Sequence, residues 1–199
     1  MALEKGYHVL TAGQLANVVT CLEMTAKPAL RPAPGGEAFR LERMSGTDTE
    51  RFRALFSAIG RDLMWFSRLV MPREKLASII GDANVESYVL MDDAQELGLL
   101  ELDFREAGVC ELSFFGLVPQ AIGKGAGRFL MNEAIARAWA RPIKRLWVHT
   151  CTFDHPGALA FYRRSGFVPY QMMVEVHDDP RLTGHMPKEA SANVPLLEV

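Results

Sequence analysis

The stretch Gly116-Leu117-Val118-Pro119-Gln120-Ala121-Ile122-Gly123-Lys124-Gly125-Ala126-Gly127-Arg128-Phe129-Leu130 decides how this chain is read. An apolar run enters three alternate glycines, and a helical pattern with Leu130, Ala134, Ile135 and Ala138 on one face leaves them. Such a strand–turn–helix passage gathers several backbone N–H groups at a helix N-terminus, where the macrodipole also favours negative charge. Glycine matters because a side chain there would hold an anion away from the amides. Lys124 and Arg128 add positive charge beside the same turn. A phosphate group is the ligand this chemistry calls for. Two nucleotide turns fit it less well. A P-loop needs Ser or Thr after Gly-Lys, and here Gly123-Lys124 is followed by Gly125. A dinucleotide turn needs G-x-G-x-x-G and an acidic residue at the end of the next strand, whereas that strand ends in Trp147-Val148-His149-Thr150.

Working outward, the pattern predicts strands over Val109–Val118 before the turn and Lys144–Thr150 after its helix, which runs to about Ala140. A helix over Gly157–Ser165 and a strand over Phe167–Val176 follow, and Met186 to Val199 reads as an irregular tail. Upstream, Val85–Met91 and Glu96–Phe104 form a hairpin around Asp92-Asp93. Pro72 to Ile80 is a helix with Pro in its first turn and Gly81 just past its end. Thr47-x-x-Glu50 is a capping-box signature ahead of Phe52, Leu55, Phe56 and Ile59 at helical spacing, with Gly60 to end the helix. Ala38–Met44 alternates as a half-buried strand does. Pro28, Pro32, Pro34, Gly35 and Gly36 mark a linker. Before it, Leu15–Met24 reads as a strand or a short amphipathic helix, and periodicity leaves both open. Hairpins mixed with strand–helix–strand crossovers define an α/β class with a mixed sheet.

A formal net charge of -2 gives no electrostatic reason for binding nucleic acid or an acidic membrane surface. Cys21, Cys110 and Cys151 are odd in number and far apart, with no C-x-x-C pair. They argue against a disulfide framework and a structural zinc site, and suit a reducing cytoplasm. No apolar stretch reaches the roughly 20 residues of a spanning helix. Met1 to Leu10 lacks the basic and apolar blocks of a secretory signal.

The glycine turn resembles the pyrophosphate-binding signature of the GNAT acetyltransferases, Q/R-x-x-G-x-G/A after a V-x-P-like strand end. The frame that fits the following helix puts Ile122 at the Gln/Arg position with Gly125 and Gly127 as its glycines. The frame Gln120-Ala121-Ile122-Gly123-Lys124-Gly125 recovers the Gln instead. A second motif is independently placed: His155-Pro156-Gly157-Ala158-Leu159-Ala160-Phe161-Tyr162-Arg163-Arg164-Ser165-Gly166-Phe167 is similar to the family's N-x-x-A-x-x-x-Y-x-x-x-G-F, with His155 where Asn is usual. The resemblance spans Ala38 to Val176 and implies a mixed, mostly antiparallel sheet flanked by helices. It divides the chain into an N-terminal extension and linker (1–36), an acetyltransferase domain (37–177) and a C-terminal tail (178–199).

What the resemblance implies for chemistry is an N-acetyltransferase that moves an acetyl group from acetyl-CoA to a primary amine by direct attack. The alternative is a non-catalytic acyl-CoA-binding sensor or interaction module on the same fold. Leu117, Val118, Ile122, Gly123, Lys124, Gly125, Ala126, Gly127, Arg128, His155, Ala158 and Phe161 are the expected cofactor contacts. The backbone N–H of Val118, or of Leu117, would polarise the thioester carbonyl. Tyr162 stands at the position of the tyrosine that protonates the CoA thiolate. Glu111 is the first candidate for the base, Glu101 the second, each flanked by apolar residues that would raise its pKa; a reaction with no dedicated base is the third possibility. Trp65, Phe66 and Arg68 fall where the family builds its acceptor pocket. His149 and Cys151 share a strand face, but no further ligand set accompanies them and no metal is expected. The acceptor, a small amine or an amine of a peptide or protein, is left open, as is a homodimer through the Leu15–Met24 segment or the tail.

Overall fold

The computed structural model describes residues 3–198, so Met1 and Ala2 of the extension and Val199 of the tail lie outside the described residues. Seven strands form one sheet in the order β2-β3-β4-β5-β6-β1-β7. They are β1 (Gln14–Met24), β2 (Phe39–Arg43), β3 (Val85–Asp92), β4 (Gln95–Asp103), β5 (Val109–Leu117), β6 (Arg145–Cys151) and β7 (Val168–Asp178). The helices are α1 (Thr49–Gly60), α2 (Ser67–Val70), α3 (Arg73–Ile80), α4 (Ala126–Ala138) and α5 (Ala158–Arg164). β3 and β4 are near-continuously buried because helices cover both faces of the sheet there. Phe56 of α1 packs edge-on to Phe114 on one face, and Phe161 of α5 stacks on Phe115 on the other. Phe52 and Phe56 are fully buried, each contributing roughly 1.5–3 kcal/mol of apolar transfer energy.

Several local expectations shift by a residue or two, for identifiable reasons. The α1 N-cap is Asp48, whose side chain accepts from Arg51 N at 3.2 Å. Thr47 is instead engaged with the Ser45 hydroxyl, so the capping box does not form. The hairpin turns one residue later than expected, with Asp93 in the left-handed region at φ 49°.

The larger finding concerns Leu15–Met24, which periodicity left undecided. It is a strand, and an interior one. β1 lies antiparallel between β6 and β7, pairing Met24 with Leu146 on one side and Val18 with Val174 on the other. Its alternation was obscured because Cys21 and Leu22 are both buried, at a register shift in its ladder to β7. The linker then crosses α4 and α5, where Asn132 donates to the Arg31 carbonyl (2.7 Å) and Arg31 donates to the Arg164 carbonyl (3.1 Å).

The tail has no repeating pattern, yet it is well packed. Arg181 pairs with Asp179 and donates to the carbonyls of Ala190, Val194 and Pro195, and both charged groups are buried. Met186, Ala190 and Val194 thereby form a small second core with Met64, against which Leu15, Phe66 and Phe153 pack. No described helix is long and apolar enough to cross a membrane.

Candidate active site

The site begins with a defect in the sheet. β5 and β6 are its one parallel pair, and they pair only at Val109–Arg145, Cys110–Leu146 and Glu111–Trp147. Beyond Glu111 the strands separate, although β5 continues to Leu117 and β6 to Cys151. A bulge opposite Glu101/Leu102 in the β4–β5 ladder bends β5 away from β6 at this point. The opening holds a cavity of about 520 Å³ that extends from the glycine turn, past the splayed strands, to Trp65 and Phe66.

At the turn end, Ile122, Gly123, Gly125, Gly127 and Arg128 line the cavity. Gly123 and Gly125 have φ of 84° and 85°, a conformation that L side chains adopt only with strain. Gly125 is the N-cap of α4, so the free amides of the first helical turn face this end of the cavity. Arg128 lies over the Phe161 ring and donates to Ser165 Oγ at 3.1 Å. Burial and the nearby charges of Arg31 and Arg164 lower its pKa, as expected where cations gather without a carboxylate. Two expected contacts differ. Lys124 points to solvent outside the cavity, and the Ala126 side chain is buried in the core.

Along the splay, Leu117 lines the cavity but Val118 does not. Val118 is buried and its N–H donates to Leu97 O at 2.9 Å, which removes it as the group expected to polarise a thioester. Alternation along β5 then turns the N–H groups of Leu117 and Phe115 towards the opening. On the opposite wall, Ala158, Phe161 and Tyr162 of α5 line the cavity together with His155. His155 Nδ1 accepts from Gly157 N at 3.0 Å, capping the turn that leads into α5. Tyr162 is 7% exposed and packed among the rings of Phe115, Phe161 and Phe167. Burial, with the Asp154 charge adding to it, pushes its phenol well above the ordinary value, so the hydroxyl holds its proton at any working pH.

At the far end the indole of Trp65 donates to Asp154 Oδ1 at 3.0 Å, while Asp154 Oδ2 accepts from Thr150 Oγ1 (2.8 Å) and Cys151 N (3.0 Å). Trp65 thus ties the α1–α2 loop to the β6–α5 loop across the mouth of the splay. Gly116 makes room for it, since a Cβ there would lie 2.7 Å from the indole. Asp154, His149 and Glu175 line the cavity and were not assigned a site role from sequence. The signal for Asp154 was its position in the tight loop after β6, immediately before His155.

The two carboxylates expected as bases have separate fates. Glu111, the last paired residue before the splay, has its pKa pushed up to about 7. Burial is the main cause, the charges of Asp103 and Glu101 add to it, and Arg68 and Arg105 oppose it. Its Oε1 lies 3.7 Å from Nδ1 of His149, which lines the cavity. Glu101 is fully buried outside the cavity, bonded to Arg68 and to Ser87 Oγ at 3.3 Å, with Arg68 over the Phe114 ring. Burial raises its pKa and Arg68 opposes that rise. Both residues are therefore structural: Glu101 cannot reach an acceptor as a base, and Arg68, 7% exposed, cannot read one. They fix α2 to the sheet beneath the α1–α2 loop. Among the described residues no cluster of metal ligands occurs.

The sequence from 52 to 167 matches the profile of the acetyltransferase (GNAT) family, and the chain belongs to that family. No curated protein matches it in sequence. Among solved structures, a GCN5-related N-acetyltransferase from Sphaerobacter thermophilus is 17% identical over 82% of this chain and 52% of its own, with a TM-score of 0.60. A GNAT-family protein from Novosphingobium aromaticivorans is 17% identical over 82% of this chain and 66% of its own, with a TM-score of 0.57. The chain thus spans between half and two thirds of those two structures. An aminoglycoside acetyltransferase from a soil metagenomic sample, solved with trehalose, is 18% identical over 65% of this chain and 88% of its own, with a TM-score of 0.52. At these identities the likeness shows the fold.

Proposed function

We propose that this chain transfers the acetyl group of acetyl-CoA to a primary amine, by direct attack with both substrates bound. The observation that carries the reading is the single cavity that joins the glycine turn, the parted strands and Tyr162 to the Trp65 end. The turn and the amides of α4 suit a pyrophosphate, and the gap between β5 and β6 suits a pantetheine arm lying along Phe115 and Leu117. Acetyl-CoA would supply an activated acetyl group as a thioester. Glu111, with a pKa near the working pH, takes the proton of the amine through His149 or water, and the free amine forms the new C–N bond. The C–S bond breaks, Tyr162 gives its proton to the departing sulfur, and the proton that the new amide nitrogen must lose returns through water to the Tyr162 oxygen.

Asp154 and Glu175 are the carboxylates lining the cavity, while the arginines lining it, Arg128 and Arg164, lie together at the turn end, which favours a cationic amine at the other. The free cysteines Cys21, Cys110 and Cys151 fit a reducing compartment, and we place the protein in the cytoplasm. Calorimetric titration with acetyl-CoA, alongside ATP and NAD, tests the cofactor. Saturable binding of acetyl-CoA alone, followed by thiol release with an amine from a panel of aminoglycosides, diamines and peptides, is the expected result. Binding without turnover on any amine would point to an acyl-CoA sensor, and no binding would remove the cofactor assignment.

A further inference from the structure

The order of the sheet dictates where the linker runs. β1 lies five strand spacings from β2, so residues 25–38 must cross about 24 Å of sheet before β2 can begin. They do so over α5 and α4. Pro28 passes Gly166 just after α5, Asn132 of α4 holds the Arg31 carbonyl, and the Pro34 carbonyl closes on Gly125, the N-cap of α4. The crossing therefore ends against the glycine turn.

This path carries Arg31 to two other arginines. Its guanidinium donates to the carbonyl of Arg164, the last residue of α5, at 3.1 Å. Arg128, in the first turn of α4, lies over the Phe161 ring and donates to Ser165 Oγ, next to Arg164. Ser165 is buried and gives its own proton to the Phe161 carbonyl (2.8 Å), so Arg128 is held in place. The charges that act on Arg128 are those of Arg31 and Arg164, with no carboxylate among them. Three guanidiniums from three separate elements thus meet without an acid, and both Arg128 and Arg164 line the cavity. Other arginines of the chain sit beside acids, as Arg51 does with Glu96 and Arg145 with Glu23. Like charges gathered in this way repel one another until an anion joins them.

A pyrophosphate at the turn does not account for the whole cluster. The amides between Gly123 and Arg128 already suit it, and Asn132, which marks the place of Arg31 on α4, lies about 9 Å along the helix from Ala126. If acetyl-CoA is the donor, as proposed above, it brings one further anion, the phosphate monoester on the ribose 3′ oxygen, with about −1.5 to −2 charge at pH 7. We propose that Arg31, Arg128 and Arg164 seat this monoester, so that the N-terminal linker is part of the donor site and selects thioesters that carry the 3′-phosphate over those that lack it. A phosphopantetheine thioester on a carrier protein, which ends in a single phosphodiester, would leave this seat unfilled.

Calorimetric titration of the full chain with acetyl-CoA and with its 3′-dephospho analogue reads the seat without any need for turnover. Wild type should bind acetyl-CoA about 30–100-fold more tightly, as charge-assisted bonds from several guanidiniums would give. Arg31→Ala should weaken acetyl-CoA about 10-fold and leave the dephospho analogue unchanged. Arg31→Lys, which keeps the charge but not the fork, should recover part of that loss. The linker stays tied in both variants, because Asn132 holds the backbone carbonyl of residue 31 rather than its side chain. Arg73→Ala removes an exposed arginine on α3 and should alter neither affinity. Equal affinities of wild type for the two donors would overturn the seat while leaving acetyl-CoA as the donor. Arg31→Ala weakening both donors alike would make Arg31 a prop for the turn and overturn the proposal. Binding of neither donor would overturn it together with the donor assignment.

Discussion

Replacing Glu111 by Gln keeps the shape of the side chain and removes a carboxyl group that the fold prefers protonated. The folded pKa is about 7 against an ordinary 4.5. Each unit corresponds to about 1.4 kcal/mol, so ionising Glu111 in the folded protein costs up to about 3 kcal/mol. The side chain is 27% exposed, and partial screening by water brings the expected figure to about 1–3 kcal/mol. The direction is opposite to that of an ion-paired carboxylate. Because the folded state keeps a proton that the unfolded chain releases, wild-type stability is full below pH 4.5, falls between 4.5 and about 7, and stays reduced above. Glu111→Gln has no such loss. In urea denaturation at pH 8 it should therefore be more stable than wild type by about 1–3 kcal/mol, and at pH 4.5 nearly equal to it. Meanwhile acetyl transfer should fall by about 10²–10⁴, and the rise of kcat/KM through pH 7 should disappear. Equal stability differences at the two pH values would refute the burial argument. A variant with full activity and the wild-type pH profile would refute the role as base.

Tyr162→Phe should lower kcat by about 10²–10³ with acetyl-CoA affinity unchanged in calorimetry, and unchanged turnover would remove the proposed acid. Gly125→Ala forces a side chain into the left-handed region and sets a Cβ 3.2 Å from the Pro34 carbonyl; a cost of about 1–2 kcal/mol should appear as acetyl-CoA binding about 5–30-fold weaker. Arg68→Ala strands the buried Glu101 charge and should destabilise the protein by about 3–5 kcal/mol in denaturant titration, and adding Glu101→Gln should restore part of that, since the second change neutralises the orphaned group. Arg181→Ala frees the tail from three carbonyls and Asp179, and a raised acceptor KM with little change in acetyl-CoA affinity is expected as Met64 and Phe66 lose their backing.

The glycine turn and the α5 motif were legible because their constraints are local. Gly123 and Gly125 adopt left-handed conformations within a few residues of one another, and Tyr162 lies one fixed helical offset from Gly157. The raised pKa of Glu111 has a related local origin, a carboxylate flanked by apolar neighbours on a strand inside the sheet. What sequence could not give were pairings set by distant partners. Glu101 has the same local signature as Glu111, and only Arg68, brought over it by α2, turns it from a candidate base into a structural charge. Val118 N–H was lost to Leu97 because the β4–β5 ladder, not the strand itself, decides which amides face the opening. The Trp65–Asp154 bond joins residues 89 apart, and the tail hangs on Arg181, whose partners follow no period.

The place of β1 bears on how the chain is made. β1 leaves the ribosome well before its partners and cannot be finished until β6 and β7 exist, because Met24 pairs with Leu146 and Val18 with Val174. More than a hundred residues must be synthesised in between, on the order of ten seconds at ~5–20 residues per second. During that wait Val18, Val19, Cys21 and Leu22 are an unpaired apolar segment, and the sheet that awaits them has an open slot. Trimming the first two dozen residues as a dispensable leader would leave that slot permanently vacant, with β7 cut off from the rest of the sheet.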